Sequence, residues 1–296
     1  MKSKFIVDLK NFKSGFCDRL KKITFYVAYA KVKKIKKIYI YEQKTKECPF
    51  LFTDLCYFQG FKLIRINKLP KYYIEKFQLN EYNSNVNIET CKFFLKDFSK
   101  KKLQSFLKEW ENSYIYLRPK KIIKLKISKI IKNKKILVGL HFRLTDKLVS
   151  IKEKLFELPW KDTVTKSELL KFKDKLFNQL IYKNDNFFVA SDEEKTKKEI
   201  IGKLRYYNKN YLFNSSIFKK NKLRQTSGED FIIDLFLLSK CKDIYTSGGG
   251  VSDTAKLISK KIHLIKWNKT TFFFIDIKKF SLLIYKLRKF INKFLL

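Results

Sequence analysis

The chain has 296 residues, 45% of them hydrophobic, with 67 Lys+Arg against 28 Asp+Glu and a formal net charge of +39. This is enough for one large domain or two of about 150 residues, and too apolar for a disordered chain. The charge must be felt by anionic partners (nucleic acid, an acidic membrane surface or phosphorylated substrates), although the positive residues run along the whole chain rather than forming an arm.

Residues 4–9 (KFIVDL) read as a short buried strand, followed by a turn at Gly15 and a helix over 18–33. Leu20, Ile23, Tyr26, Val27 and Ala30 recur there at helical spacing. Residues 36–41 read as the next strand, giving a β-α-β unit and hence a parallel sheet. A third strand is expected at 60–67 and a helix at 97–116, and 119–131 is a Lys/Ile alternation before a break. The pattern restarts after a boundary near 130–135. Strands are expected at 135–142, 186–190, 243–246 and 261–266, and helices at 166–181, 193–207, 229–240 and 252–259. The fold class is therefore α/β, with two Rossmann-like doubly wound domains facing a cleft, and ligands expected at the carboxyl ends of the strands. The expected divisions are 1–132, 133–277 and a basic amphipathic helix over 278–296, which suits either packing on the protein or an anionic membrane surface.

Five widely spaced cysteines without a CxxC pair, and two histidines, argue against a disulfide framework or a metal site. The start has too short an apolar stretch for a signal peptide, and no run of about 18 apolar residues offers a spanning helix. A cytoplasmic location is expected, with peripheral attachment to the inner membrane face as an extension of it.

Glycine is scarce, yet Gly15, Gly139, Gly248, Gly249 and Gly250 fall in or beside strand–turn–helix transitions. The segment Thr246-Ser247-Gly248-Gly249-Gly250-Val251-Ser252 follows a strand and opens a helix, a pattern suited to phosphate. An ordinary tight turn with Ser252 as N-cap is the plainer reading. His141-Phe142-Arg143-Leu144-Thr145-Asp146-Lys147 lies just past a strand end, where a guanidinium can clamp a diphosphate; a surface loop with a local ion pair is the alternative. Asp192 and Glu193 suit a ribose or base edge, or a helix cap. Asp234 interrupts an apolar helical stretch and needs a donor, from a guanine edge or from the protein. In Gly15-Phe16-Cys17-Asp18-Arg19-Leu20, Asp18 and Arg19 read as a cap and a surface side chain, or as part of a loop facing the cleft.

Taken together, these segments resemble the fucosyltransferase superfamily. HFRLTDK is similar to the H-x-R-x-T-D-K segment of the α1,6-fucosyltransferases, and to the H-x-R-x-G motif of the NodZ-like and O-fucosyltransferase-related families. FFVASDE, DFIIDLFLLSKCKDIYTSGGGVS and SGFCDRL resemble, in the same order, their strand ending in Asp-Asp, their helix-strand-loop segment and their amino-terminal G-x-G-[DN]-R-L loop. The match covers about 135–260 well, and the first half mainly at 5–40.

The resemblance implies a GT-B fold, GDP-fucose as donor substrate, inverting transfer to a glycan acceptor, and neither metal nor cofactor. By that likeness Arg143 holds the β-phosphate, oriented by Asp146, with Lys147 near the reacting centre. His141 lies beside the guanine and Asp234 reads its edge. Asp192, Ser247, Gly250, Ser252, Gly15 and Arg19 complete the donor-binding candidates. Glu153 is the nearest candidate base, two positions later than the family's acid. Three further departures are Leu144 in place of a second arginine, Glu193 in place of the second Asp, and Cys17 in place of a glycine. A bacterial surface polysaccharide suits the acceptor. The alternatives are a GT-B enzyme using another nucleotide sugar and a non-catalytic basic nucleic-acid-binding protein. No recognised nucleic-acid motif is present, and nucleic acid is not expected as a partner.

Overall fold

The structure, a computed structural model, describes residues 5–10, 15–46, 48–71, 73–79, 86–132, 134–136, 138–144, 165–180, 182, 185–215 and 226–266. The chain divides into two compact units. Unit 1 comprises Met1–Asn133, Thr226–Lys240 and Gly250–Ile262, and unit 2 comprises Lys134–Gln225, Cys241–Gly249 and His263–Leu296.

Along the chain, unit 1 begins with β1 (Ile6–Asp8), α1 (Phe16–Val32), β2 (Lys37–Tyr41), α2 (Phe52–Leu55), β3 (Cys56–Phe58), β4 (Lys62–Ile66), α3 (Ile88–Phe94), α4 (Lys100–Ser113), β5 (Leu117–Pro119) and α5 (Lys121–Ile131). Unit 2 then contributes β6 (Val138–Phe142), α6 (Lys166–Leu180), β7 (Phe187–Ser191), α7 (Glu194–Tyr206), β8 (Tyr211–Phe213), β9 (Asp243–Thr246) and β10 (His263–Lys266). Two later helices, α8 (Gly228–Leu238) and α9 (Gly250–Ser259), return to unit 1. A single cut at 132/133 would leave them with the second half of the chain.

In unit 1, β1, β2 and β4 form a parallel sheet in that order, with Ile6 opposite Tyr39 and Lys37 opposite Lys62. The helix joining β1 to β2 is the centre of the unit. Its expected apolar stripe, Leu20, Ile23, Tyr26, Val27 and Ala30, is buried, and so are Phe25, Ala28 and Tyr29 on its other sides. A helix apolar on most of its circumference must be covered by several elements. Here α4 covers one side, with Phe106 and Trp110 edge-on to Phe25 at 5.0 and 4.9 Å. Phe77 packs on Phe25 at 5.1 Å, and Trp110 donates to Thr24 Oγ1 at 3.0 Å.

Two stretches differ from expectation. The segment 97–116 is α4, capped by Ser99, followed by a 3₁₀ turn at Tyr114–Tyr116. The Lys/Ile alternation is helix α5, because Ile123 and Ile127, four residues apart, supply one buried stripe. Cys56 to Phe58 and Leu117 to Pro119 also form a small antiparallel ribbon that periodicity does not reveal.

In unit 2 the strand order is β10-β9-β6-β7-β8, all parallel. The central strands β6 and β7 are buried along their whole length, as expected for strands covered on both faces. Leu140, Phe142 and Val189 join Phe172, Leu176 and Ile200 of α6 and α7 in one core. The three-residue strand β8 is an addition to the expected set. No helix of the described residues is long and apolar enough to cross a membrane. All five cysteines are buried thiols. The expected helix over 278–296 lies outside the described residues.

Candidate functional site

The strand order of unit 2 dictates where a site belongs. β6 lies at the middle of the sheet, with β7 and β8 following on one side and β9 and β10 on the other. Successive connections therefore leave β6 in one direction and β9 in the other. The crevice outside the carboxyl ends of those two strands is the topological switch point, the usual ligand position in an open parallel sheet. The paired ends are His141 and Thr246, and Ser247 N–H extends the ladder to His141 O at 3.1 Å.

Beyond that pairing the chain turns sharply. Gly248 and Gly249 have φ of +94° and +107°, a region L side chains rarely occupy, so this turn needs glycine. The turn is pinned from below: Gly248 N–H donates to Thr246 Oγ1 at 3.0 Å, and the same hydroxyl lies 2.9 Å from His141 Nδ1. Ser247 Oγ accepts the Arg143 N–H at 2.8 Å and donates to Arg143 O at 3.3 Å. The side chain of Arg143 crosses the turn, so that a β-carbon at Gly249 would stand 3.0 Å from Cδ and 3.4 Å from Nη1. Asp192, at the end of β7, accepts the Leu144 N–H at 2.8 Å. Side-chain bonds to backbone and ring thus tie the carboxyl ends of β6, β7 and β9 together.

The electrostatics follow from burial. Burial, and to a smaller extent the nearby Arg143 charge, lowers the His141 imidazole to about 3. His141 is therefore neutral near pH 7. Arg143, half-buried, brings a permanent cation to a glycine turn whose backbone can approach a ligand closely. Such an arrangement attracts and orients an anion with fixed oxygen geometry, such as a phosphate.

Of the candidates from the sequence, His141, Arg143, Asp192 and Ser247 come together at this point of unit 2. The hydroxyl of Ser247 is engaged with the Arg143 peptide groups, which makes it a support for that arginine. Asp192 likewise holds the loop after β6. Thr246, Gly248 and Gly249 belong to the segment whose pattern suits phosphate, but the sequence gives them no individual roles. Their signal was the glycine run itself, which does not say which glycines need positive φ.

Gly15, Arg19, Asp234, Gly250 and Ser252 belong to unit 1. Gly15 is the N-cap of α1, and Gly250 opens α9. These two helix starts meet: a β-carbon on Gly250 would stand 2.9 Å from Cys17 Cβ and 3.4 Å from its Sγ. Arg19 is buried, and its guanidinium donates to Gln43 O at 2.7 Å and to Thr45 Oγ1 at 3.0 Å, tying α1 to the chain after β2. Asp18 pairs with Lys21 at 2.9 Å instead of capping the helix. Ser252 is fully buried inside α9 and is not its N-cap. Asp234 is buried on α8 between Ile233 and Leu235. Asp146, Lys147 and Glu153 lie outside the described residues.

No protein-family model and no curated protein matches the chain. Among solved structures, the fucosyltransferase NodZ from Bradyrhizobium is similar over 91% of this chain and 98% of its own, at 13% sequence identity and a TM-score of 0.54. NodZ α-1,6-fucosyltransferase soaked with GDP-fucose also matches, at 13% identity, 87% and 93% coverage and a TM-score of 0.48. POFUT1 in complex with GDP-fucose matches at 13% identity, 90% and 98% coverage and a TM-score of 0.46. The chain has a fucosyltransferase-like α/β fold with parallel sheets.

Proposed function

We propose that this chain is a metal-independent, inverting glycosyltransferase that transfers fucose from GDP-fucose to a glycan acceptor, a bacterial surface polysaccharide, at the cytoplasmic face of the membrane. The observation that carries the reading is Arg143 lying across the positive-φ Gly249 turn at the switch point of unit 2. The fold likeness to a fucosyltransferase and the resemblance of the motifs in chain order support it.

In this reading the acceptor hydroxyl displaces GDP at the anomeric carbon of the sugar. Negative charge grows on the β-phosphate as the bond breaks, and Arg143 stabilises it more strongly in the transition state than in the ground state. Ser247 holds the Arg143 backbone, and Gly249, with no β-carbon, leaves space for the arginine side chain. Asp234 is the proposed reader of the guanine edge, Lys147 and Glu153 the proposed groups near the reacting centre and acceptor hydroxyl, and Asp146 the partner of Arg143. These four assignments rest on the resemblance.

One observation favours a second reading, transfer from a different nucleotide sugar. Leu144 is buried, and its N–H is held by Asp192, so this position supplies no second guanidinium to a diphosphate. Thermal stabilisation of the purified protein in EDTA, by GDP, UDP, CMP and ADP each with its common sugars, separates the two. Stabilisation by GDP and GDP-fucose alone, lost in Asp234→Ala, supports the fucose reading. Stabilisation by UDP or CMP compounds replaces the donor. No response to any nucleotide defeats both.

A further inference from the structure

Helix α5 carries a feature that donor binding does not use. One side of it is ordinary core: Ile123 and Ile127 are buried, α5 packs on α8, and Lys126 pairs with Glu229 of that helix. The opposite side is also apolar at its centre. Ile122 is 58% exposed and Leu125 54%, three residues apart and therefore neighbours on one face. Lysines surround them. Residues 120–132 (KKIIKLKISKIIK) contain Lys120, Lys121, Lys124, Lys126, Lys129 and Lys132 and no acidic residue. On a helical projection, Lys121 and Lys129 fall beside the exposed pair and Lys124 flanks it, while Lys126 on the other flank is paired with Glu229.

Leaving two large aliphatic side chains in water at the centre of a cationic face gains nothing for folding, and a soluble surface would ordinarily carry polar residues there. We infer that this face of α5 is a docking surface for an anionic lipid bilayer. The aliphatic pair enters the boundary between headgroups and acyl chains, while the lysine stems lie along it and their ammonium groups reach lipid phosphates. Charge complementarity selects this occupant. A nucleic acid would match the lysines but offers nothing to Ile122 and Leu125, whereas a single strand would call for aromatic side chains on which its bases stack. The assignment concerns unit 1 alone and holds whichever sugar donor the protein uses.

The test is co-sedimentation of the full chain with vesicles of phosphatidylglycerol and phosphatidylcholine, compared with phosphatidylcholine alone. Binding is expected with the anionic vesicles and should weaken as salt rises. Ile122→Ser/Leu125→Ser should lower the partition coefficient about tenfold or more, through lost apolar burial. Lys121→Gln/Lys124→Gln/Lys129→Gln should lower it about fivefold per lysine on anionic vesicles. These positions are exposed, so both variants should melt like the parent, and the lysine set keeps the test open if the serine pair does not fold. Parental binding by both folded variants overturns the assignment. So does a parent that ignores anionic vesicles, or a set of variants that lose single-stranded RNA binding while retaining vesicle binding.

Discussion

Gly249 lies against the side chain of Arg143: an added β-carbon would stand 3.0 Å from Arg143 Cδ, so the arginine would have to give by a few tenths of an ångström. Gly249→Ala therefore combines two effects. The backbone at φ +107° becomes strained, costing about 1–3 kcal/mol, and the guanidinium is displaced. The variant should unfold at lower urea and lose stabilisation by the donor nucleotide. Urea titration with and without nucleotide measures both. Unchanged nucleotide stabilisation would detach Arg143 from the phosphate.

Arg143→Lys retains the charge but not the planar fork. If the arginine grips a diphosphate through two parallel hydrogen bonds, Lys should recover little of the activity lost in Arg143→Ala, expected to fall about 10²–10³-fold. Both variants should melt close to the parent, since Ser247 holds this residue through its backbone. Steady-state transfer rates for the pair provide the check, and full activity in Arg143→Lys would reduce the role to a point charge.

His141 sets a pH dependence whose sign is fixed by burial. Its native value, about 3, lies below the ordinary 6.5. Between those two values the unfolded chain binds a proton that the native chain does not. Its contribution to stability is therefore complete above about pH 6.5 and declines by roughly 1.4 kcal/mol per pH unit toward pH 3. Urea unfolding at pH 7 and pH 5 should show a larger loss in the parent than in His141→Asn. An imidazolium at His141 seen by NMR at pH 6 would contradict the assignment.

Much of this was legible in the sequence, and the divisions are physical. Strands such as β6 and β7 announce themselves because burial on both faces requires a continuous apolar run. Arg143 and the glycine turn stood out because charged and glycine residues are unusual right after such strands. Three things were not legible. Ser247 and Arg143 are 104 positions apart, and nothing local says that a serine hydroxyl will close on a distant peptide group. Arg19 looked like a ligand-facing cation because a motif gives residue types without directions, yet its guanidinium turns inward to Gln43 and Thr45. The two-sided character of α5 defeated a periodicity reading, because exposed Ile122 and Leu125 blur the stripe made by Ile123 and Ile127.

Cys17 and Gly250 form a size-matched pair. Gly250→Ala brings a β-carbon to 2.9 Å from Cys17 Cβ, and both atoms belong to helix starts that cannot easily yield. The variant should lose about 1–3 kcal/mol through overpacking. Cys17→Gly in the same chain should restore part of it, despite its own cost in backbone entropy. Thermal melts of the two single variants and the double variant form the cycle, and strict additivity would rule out the contact.

The interleaved course of the chain has a bearing on its synthesis. Phe16, at the start of α1, rests against Phe231 of α8 at 5.5 Å, and α9 closes on Cys17. Unit 1 thus waits for Thr226–Lys240 and Gly250–Ile262 to leave the ribosome before its hydrophobic surface is covered. A nascent chain stalled near Asn133 would carry an open apolar face, of the kind chaperones retain and aggregation exploits.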